Sequence, residues 1–212
     1  MHDIPVFTTE NGIASLTLKE IPYKSEAYIR IQASETPLAL LAECCDFCKG
    51  IGAKHIYATG HACLDVYPLY TTLWKMNCPK DCLPETDATV FPVQQETLET
   101  WREIYNERMK AVPNASYMTV GDAQKMLQKG NGYFVHREEM LIGIGTAYAD
   151  TIGTVASVIP RAGENVLLAL CKALTDELVT LEVASTNYKA VTLYERLGFV
   201  KVAEISKWYK IK

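Results

Sequence analysis

The stretch "GYFVHREEMLIGIGTAYADTIGTVASVIP", residues 132–160, constrains this chain most. It reads as three consecutive strands, with turns at Arg137-Glu138-Glu139 and Asp150-Thr151. Short polar turns join antiparallel neighbours. A helix over 164–178 and a strand over 179–185 come next, then a helix beginning at Asn187 and a last strand over 201–211. A strand–helix–strand crossover after a meander adds a parallel pair to an otherwise antiparallel sheet. The expected class is therefore α/β, with a mixed, centrally antiparallel sheet.

The flanking elements fit this frame. Residues 87–93 alternate as a strand, and 94–112 carry Leu98, Trp101, Ile104, Tyr105 and Met109 at helical spacing. Pro113-Asn114 marks a loop. A short helix comes after it, with Thr119 as N-cap and Gly130 at its end. In the 164–178 helix, Val166, Leu167, Leu170, Leu174 and Leu178 form the expected buried side. In the last strand, Val202, Ile205 and Trp208 are expected to face inward.

Residues 1–86 read as a smaller α/β unit: strands at 13–18 and 26–32, a helix from 37 that ends near Gly50 or Gly52, a strand over 54–60, and a short helix at "YTTLWKMN" (70–77). "CPKDCLPETD" (78–87), with two prolines and three acids, reads as a linker. The expected domains are 1–86 and 87–212. Two segments echo each other, "LALLAECCDFCKGIGAKHIYATG" and "VLLALCKALTDELVTLEVAST", with "TLWK" after the first and "TLYE" after the second. The echo reads either as a worn duplication or as the common look of any two helix–strand units.

Bulk properties exclude some classes. Of 212 residues, 49% are hydrophobic, enough for a sizeable core. The net charge of -4 and the lack of a basic stripe argue against nucleic-acid binding. No apolar run is long enough to span a membrane. "MHDIPVFTTE" has no secretory pattern, and seven cysteines are an odd count, so a reducing, cytoplasmic setting is expected. Cys45/Cys48 and Cys78/Cys82 invite a zinc reading. Cys44, Cys45 and Cys48 fall within a helix, however, and the pairs lack knuckle glycines or histidines, so no metal is expected.

Chemistry concentrates in "LEVASTNYKAVTLYERLGFV", residues 181–200. Positions 187, 190, 191 and 194 share one helical face. Asn187 is suited to capping a helix or bonding an amide. Ala190 permits close approach, Tyr194 carries a hydroxyl, and Gly198 suits a left-handed helix end. The stretch resembles the C-terminal signature of the GNAT superfamily of acyl-CoA-dependent N-acyltransferases, through Asn187, Ala190, Leu193, Tyr194, Gly198 and Phe199. Element order extends the likeness over roughly residues 88–212.

The resemblance implies several things. Two parallel strands, about 154–159 and 180–185, splay apart to admit the pantetheine arm of acetyl-CoA. Asn187 and Tyr194 point at that arm. A neutral primary amine attacks the thioester directly, Tyr194 protonates the departing thiolate, and backbone N–H groups near Val158 polarise the carbonyl. The cofactor's pyrophosphate would lie on "PRAGEN", against Arg161, Ala162, Gly163, Glu164 and Asn165. With Gly163 in the central glycine slot of the family pattern, Pro160 and Asn165 depart from it, so the segment also reads as an ordinary turn and helix cap. The acceptor is a small-molecule or peptide amine, and the acidic balance leans toward a cationic one. A homodimer is left open. The alternative is a non-catalytic acyl-CoA sensor or protein-binding scaffold of the same fold. Glu182, Asp150 and Glu138 are considered as bases and read as structural, as does His136. Cys171 reads as an inert core thiol. Tyr67, Tyr70 and Trp74 read equally as core or as substrate-groove lining.

Overall fold

The computed structural model describes residues 5–112 and 115–212, so the Pro113-Asn114 loop lies outside the described residues. The chain forms two compact units. One runs up to Leu73 and takes in Glu204–Lys212; the other is Trp74–Ala203. The sequence expectation put the division at 86/87, whereas the units divide within a strand.

In the first unit, β1 (Val6–Thr9), β2 (Gly12–Thr17) and β3 (Glu26–Ala33) pair antiparallel in succession. A four-residue helix, α1 (Ile21–Lys24), precedes β3. Helix α2 (Pro37–Gly50) then crosses over to β4 (His55–Thr59), which runs parallel to β3. Gly12 is at φ 140°, and a Cβ there would lie 2.3 Å from the Ala33 carbonyl oxygen, so the β1–β2 turn needs glycine. The core is Leu16, Ile29, Leu40, Leu41, Ile56 and Leu64. Cys44, Cys45 and Cys48 lie on the buried side of α2, and burial raises all three thiols, Cys44 to about 12. They act as small apolar core residues.

A 3₁₀ turn, Ala62–Val66, leads to β5 (Leu69–Pro79), which continues into the second unit. "YTTLWKMN" is thus a strand and not the expected short helix. Tyr, Thr and Trp favour a pleated surface, and Thr71, Thr72, Met76 and Cys78 are buried.

The second unit continues with β6 (Thr89–Pro92), α3 (Leu98–Met109), α4 (Val120–Lys129), β7 (Gly132–Arg137), β8 (Met140–Tyr148) and β9 (Thr151–Ser157). Then come α5 (Gly163–Ala173), β10 (Leu178–Ala184), α6 (Tyr188–Arg196) and β11 (Val200–Lys210). Its strands lie in the order β5-β10-β9-β8-β7-β6. The end of β11 returns to the first unit, where Tyr209 pairs with Ala58 of β4. Among the described residues no helix is long and apolar enough to cross a membrane.

Local signals set several boundaries as expected. The Thr119 side chain accepts from Asp122 N, the Asp122 carboxylate reaches back to Thr119 N, and Gly130 closes α4 in the left-handed conformation. Glu138 and Glu139 form the β7–β8 turn at φ 49° and 64°, a conformation that suits Asn-Gly. Changing Glu138→Asn together with Glu139→Gly is expected to raise stability by about 1 kcal/mol, measured by urea denaturation. An unchanged or lower midpoint refutes this.

Other boundaries moved. The 164–178 helix ends at Ala173, and Leu174 is already extended (ψ 150°). Leu178 opens β10 and is 43% exposed, so it is not on the helix's buried side. Val202 and Ile205 are 49% and 40% exposed, Trp208 is half-buried, and Tyr209 is the buried residue of that strand. The segment expected to be a linker finishes β5, turns through Lys80–Cys82 and runs beside α5. There Lys80 Nζ donates to Leu174 O (2.7 Å) and Thr86 Oγ1 bonds Asn165 Oδ1 (3.2 Å).

The pairing sequence of β1, β2, β3, α2 and β4 repeats in β7, β8, β9, α5 and β10: antiparallel, antiparallel, then a parallel crossover. The finer echo does not hold, because "TLWK" lies in β5 and "TLYE" in α6.

Candidate active site

The site is built around the parallel pair β9–β10. Its ladder joins Thr180 to Thr151 and Leu181 to Ile152 and goes no further, although β9 runs on to Ser157 and β10 to Ala184. The strands are therefore joined at one end and parted at the other. Asp150 fastens the joined end. Its backbone carbonyl accepts Thr180 N (2.7 Å), and its carboxylate accepts the hydroxyls of Thr151 (2.7 Å) and Thr180 (3.1 Å). The Thr151 hydroxyl above all, with Thr180, holds this carboxyl below the ordinary range.

A depressed carboxyl stabilises the fold above its unfolded value, near pH 4, and the contribution is lost as pH falls through the folded value. Asp150→Ala is thus expected to cost about 1 kcal/mol in urea denaturation at pH 7, with the difference shrinking toward pH 3. A cost independent of pH would show that the carboxylate is not the fastening.

Opposite the parted strands, β9 is held to β8. Val158 N donates to Ile142 O (2.9 Å), and Arg108 Nη2 of α3 donates to Val158 O (2.9 Å). The Val158 N–H is therefore already engaged with β8, against the expectation that it faces a ligand. Backbone groups alternate sides along a strand, so the Ser157 N–H is the one directed toward β10. Of the N–H groups expected near Val158, that of Val158 itself is therefore not the free one.

After β9 the chain turns through Pro160 and Arg161, the latter at φ 66°, an uncommon conformation for a non-glycine residue. Arg161 is exposed, and among the described residues it makes no hydrogen bond or ion pair. Ala162 is buried and stands at the N-cap of α5, where it has no side chain to satisfy the first N–H groups. Those donors, beside an uncommitted guanidinium, suit an anion. A Cβ at Gly163 would meet only Leu193 Cδ2, at 3.8 Å, so α6 packs close by. Glu164 is ion-paired to Arg196 Nη2 of α6 at 2.5 Å, which offsets its charge at the helix start. Asn165 is turned to Thr86. The backbone and Arg161 thus fit a pyrophosphate, while Pro160 and the Asn165 carbonyl add nothing to it.

Asn187 caps α6, its Oδ1 accepting Ala190 N (3.4 Å). Tyr194 is 8% exposed, with its ring against Phe199 at 5.8 Å. Burial first, and then Cys171, push its phenol up to about 12. Ala190, Val191 and Leu193 pack on the same core, and Gly198 ends the helix at φ 95°. Glu182 is exposed on β10 beyond its pairing with β9, and Glu138 lies in the hairpin turn. His136 stands edge-on to Phe91 at 5.0 Å. Asp150, Arg196 and Arg108 take parts in this geometry that no sequence motif signals, because each acts on an element remote in the chain.

No family model and no curated protein matches the chain. Solved structures do. A conserved protein of unknown function from Staphylococcus epidermidis is 12% identical with a TM-score of 0.62, over 99% of this chain and 94% of that one. A GCN5-related N-acetyltransferase from Sphaerobacter thermophilus is 13% identical with a TM-score of 0.59, over 93% and 75%. A tandem GNAT protein from the clavulanic acid biosynthesis pathway is 13% identical with a TM-score of 0.54, over 94% and 78%. At such identities the likeness is one of fold: a GNAT fold in a two-unit arrangement.

Proposed function

We propose that this GNAT-fold chain is an N-acetyltransferase that moves an acetyl group from acetyl-CoA to a primary amine. The β9–β10 ladder that stops after Leu181 and Ile152 carries this reading, since it leaves an opening between parallel strands for an extended arm. The donor supplies an activated acetyl thioester and, after transfer, a thiolate leaving group. The N-terminal donors of α5 and Arg161 would hold its phosphates. Ser157 N–H, directed at the gap, would polarise the carbonyl. Tyr194, protonated at neutral pH, would give its proton to the leaving sulfur.

A second reading rests on the depth of Tyr194 and on the departures at Pro160 and Asn165: an acyl-CoA sensor or scaffold without turnover. Titration calorimetry with acetyl-CoA, followed by thiol release against a panel of small-molecule and peptide amines, separates them. Binding with release is expected. Binding without release favours a sensor, and no binding overturns both the transferase and the sensor in favour of a scaffold.

A further inference from the structure

In the first unit, β3 and β4 turn alternate residues away from α2. Ala27, Ile29, Ile56 and Ala58 face the α2 core, so Glu26, Tyr28, Arg30 and Tyr57 lie on the other face. Tyr28 pairs directly with Tyr57 across the two strands, and their rings stack at 5.2 Å and 25°. Tyr57 continues the row to Tyr70 at 4.3 Å, and Trp208 meets Tyr28 edge-on at 5.5 Å. Tyr28, Tyr70, Trp208 and Glu26 are half-buried.

One end of this row is fastened to a carboxylate, and the other two phenols are linked to each other within its electrostatic reach. The Tyr28 hydroxyl donates to Glu26 Oε2 (2.7 Å), and Tyr57 and Tyr70 are hydrogen-bonded to each other. Glu26 bears on all three phenols, raising each, after the larger effect of burial. Among the described residues no lysine or arginine forms an ion pair with Glu26, and Arg30 sits instead over Trp208, 5.7 Å from the ring centre. A half-buried carboxylate bonded to one phenol, beside a row of two further phenols and their π-faces and with no cation of its own, has the oxygen and π ligands for an ammonium group.

We infer that Glu26, Tyr28, Tyr57 and Tyr70 form a binding site for the ammonium group of a primary alkylamine. The ammonium N–H groups donate to the carboxylate and phenol oxygens, and the alkyl chain lies along the rings. The site belongs to the first unit and needs no acyl donor, so it stands or falls apart from the transfer reaction.

Titrating the full chain with n-butylammonium, followed by aromatic and amide NMR shifts, tests it. Saturable shifts confined to Tyr28, Tyr57, Tyr70, Trp208 and their strand neighbours are expected, with 1-butanol giving none. Glu26→Gln should weaken binding at least tenfold and Tyr57→Phe by less, each with an unchanged far-UV spectrum. Shifts scattered over the surface, equal binding of 1-butanol, or a Glu26→Gln variant that binds as well as wild type would each overturn the assignment.

Discussion

If the proposed transfer holds, Tyr194→Phe is expected to lower kcat about a hundredfold and to leave the Kd for acetyl-CoA unchanged. The ring is held by Phe199 and the core around α5, and phenylalanine keeps that packing. What the variant loses is the hydroxyl, and a positioned general acid contributes about 10²–10⁴-fold. Burial and Cys171 raise the phenol to about 12, so it stays protonated through the working range. The kcat profile of the wild type should therefore show no alkaline fall from this group below about pH 10, and any rise with pH reports the amine losing its proton. Stopped-time thiol release with a saturating amine measures both. A kcat within twofold of wild type, with intact binding, removes Tyr194 from the chemistry.

Gly145→Ala is expected to cost about 3 kcal/mol of stability in denaturant unfolding. A Cβ at Gly145 would lie 2.2 Å from Leu170 Cδ1 of α5 and 2.6 Å from Thr154 O of the paired strand β9. The leucine can rotate, but the carbonyl is fixed in the ladder, so α5 or β9 must move. Gly143 makes the same demand against Val166 and Ala156 O. The two glycines bring α5 down onto β8, which sets where its uncapped N-terminus stands relative to the parted strands. The variant should also weaken acetyl-CoA binding. A stability change under 1 kcal/mol would mean that the helix does not rest on bare backbone there.

Signals that act within a few residues were legible. The Thr119–Asp122 reciprocal cap and Gly130 delimit α4, Asn187 caps α6, and Gly198 closes it, each by a hydrogen bond or torsion internal to the segment. The three strands of 132–157 were legible from their alternation and turns. "YTTLWKMN" was not, because a short run with both patterns is decided by its neighbours, and β10 lies beside it as a strand. Leu178 belongs to β10 because α5 stops at Ala173, where Lys80 Nζ, more than ninety residues away in sequence, takes the carbonyl of Leu174.

The candidate site divides the same way. Asn187 and Tyr194 could be named from the motif, since the motif itself is local. That Val158 turns its N–H to β8, that Arg196 neutralises Glu164, and that Asp150 fastens β9 to β10 depended on strand register and on helices meeting across the sheet.

By itself the sequence determined the order of most elements in residues 87–212, the caps and turns that bound several of them, and the helix bearing Asn187 and Tyr194. Only the tertiary structure decided where the β9–β10 ladder ends, how deep Tyr194 lies, and that Tyr28, bonded to Glu26, stacks in one row with Tyr57 and Tyr70. The physical reason is range: caps, turns and periodicity are set by neighbours along the chain, while register, burial and charge pairing are set by residues that only folding brings together.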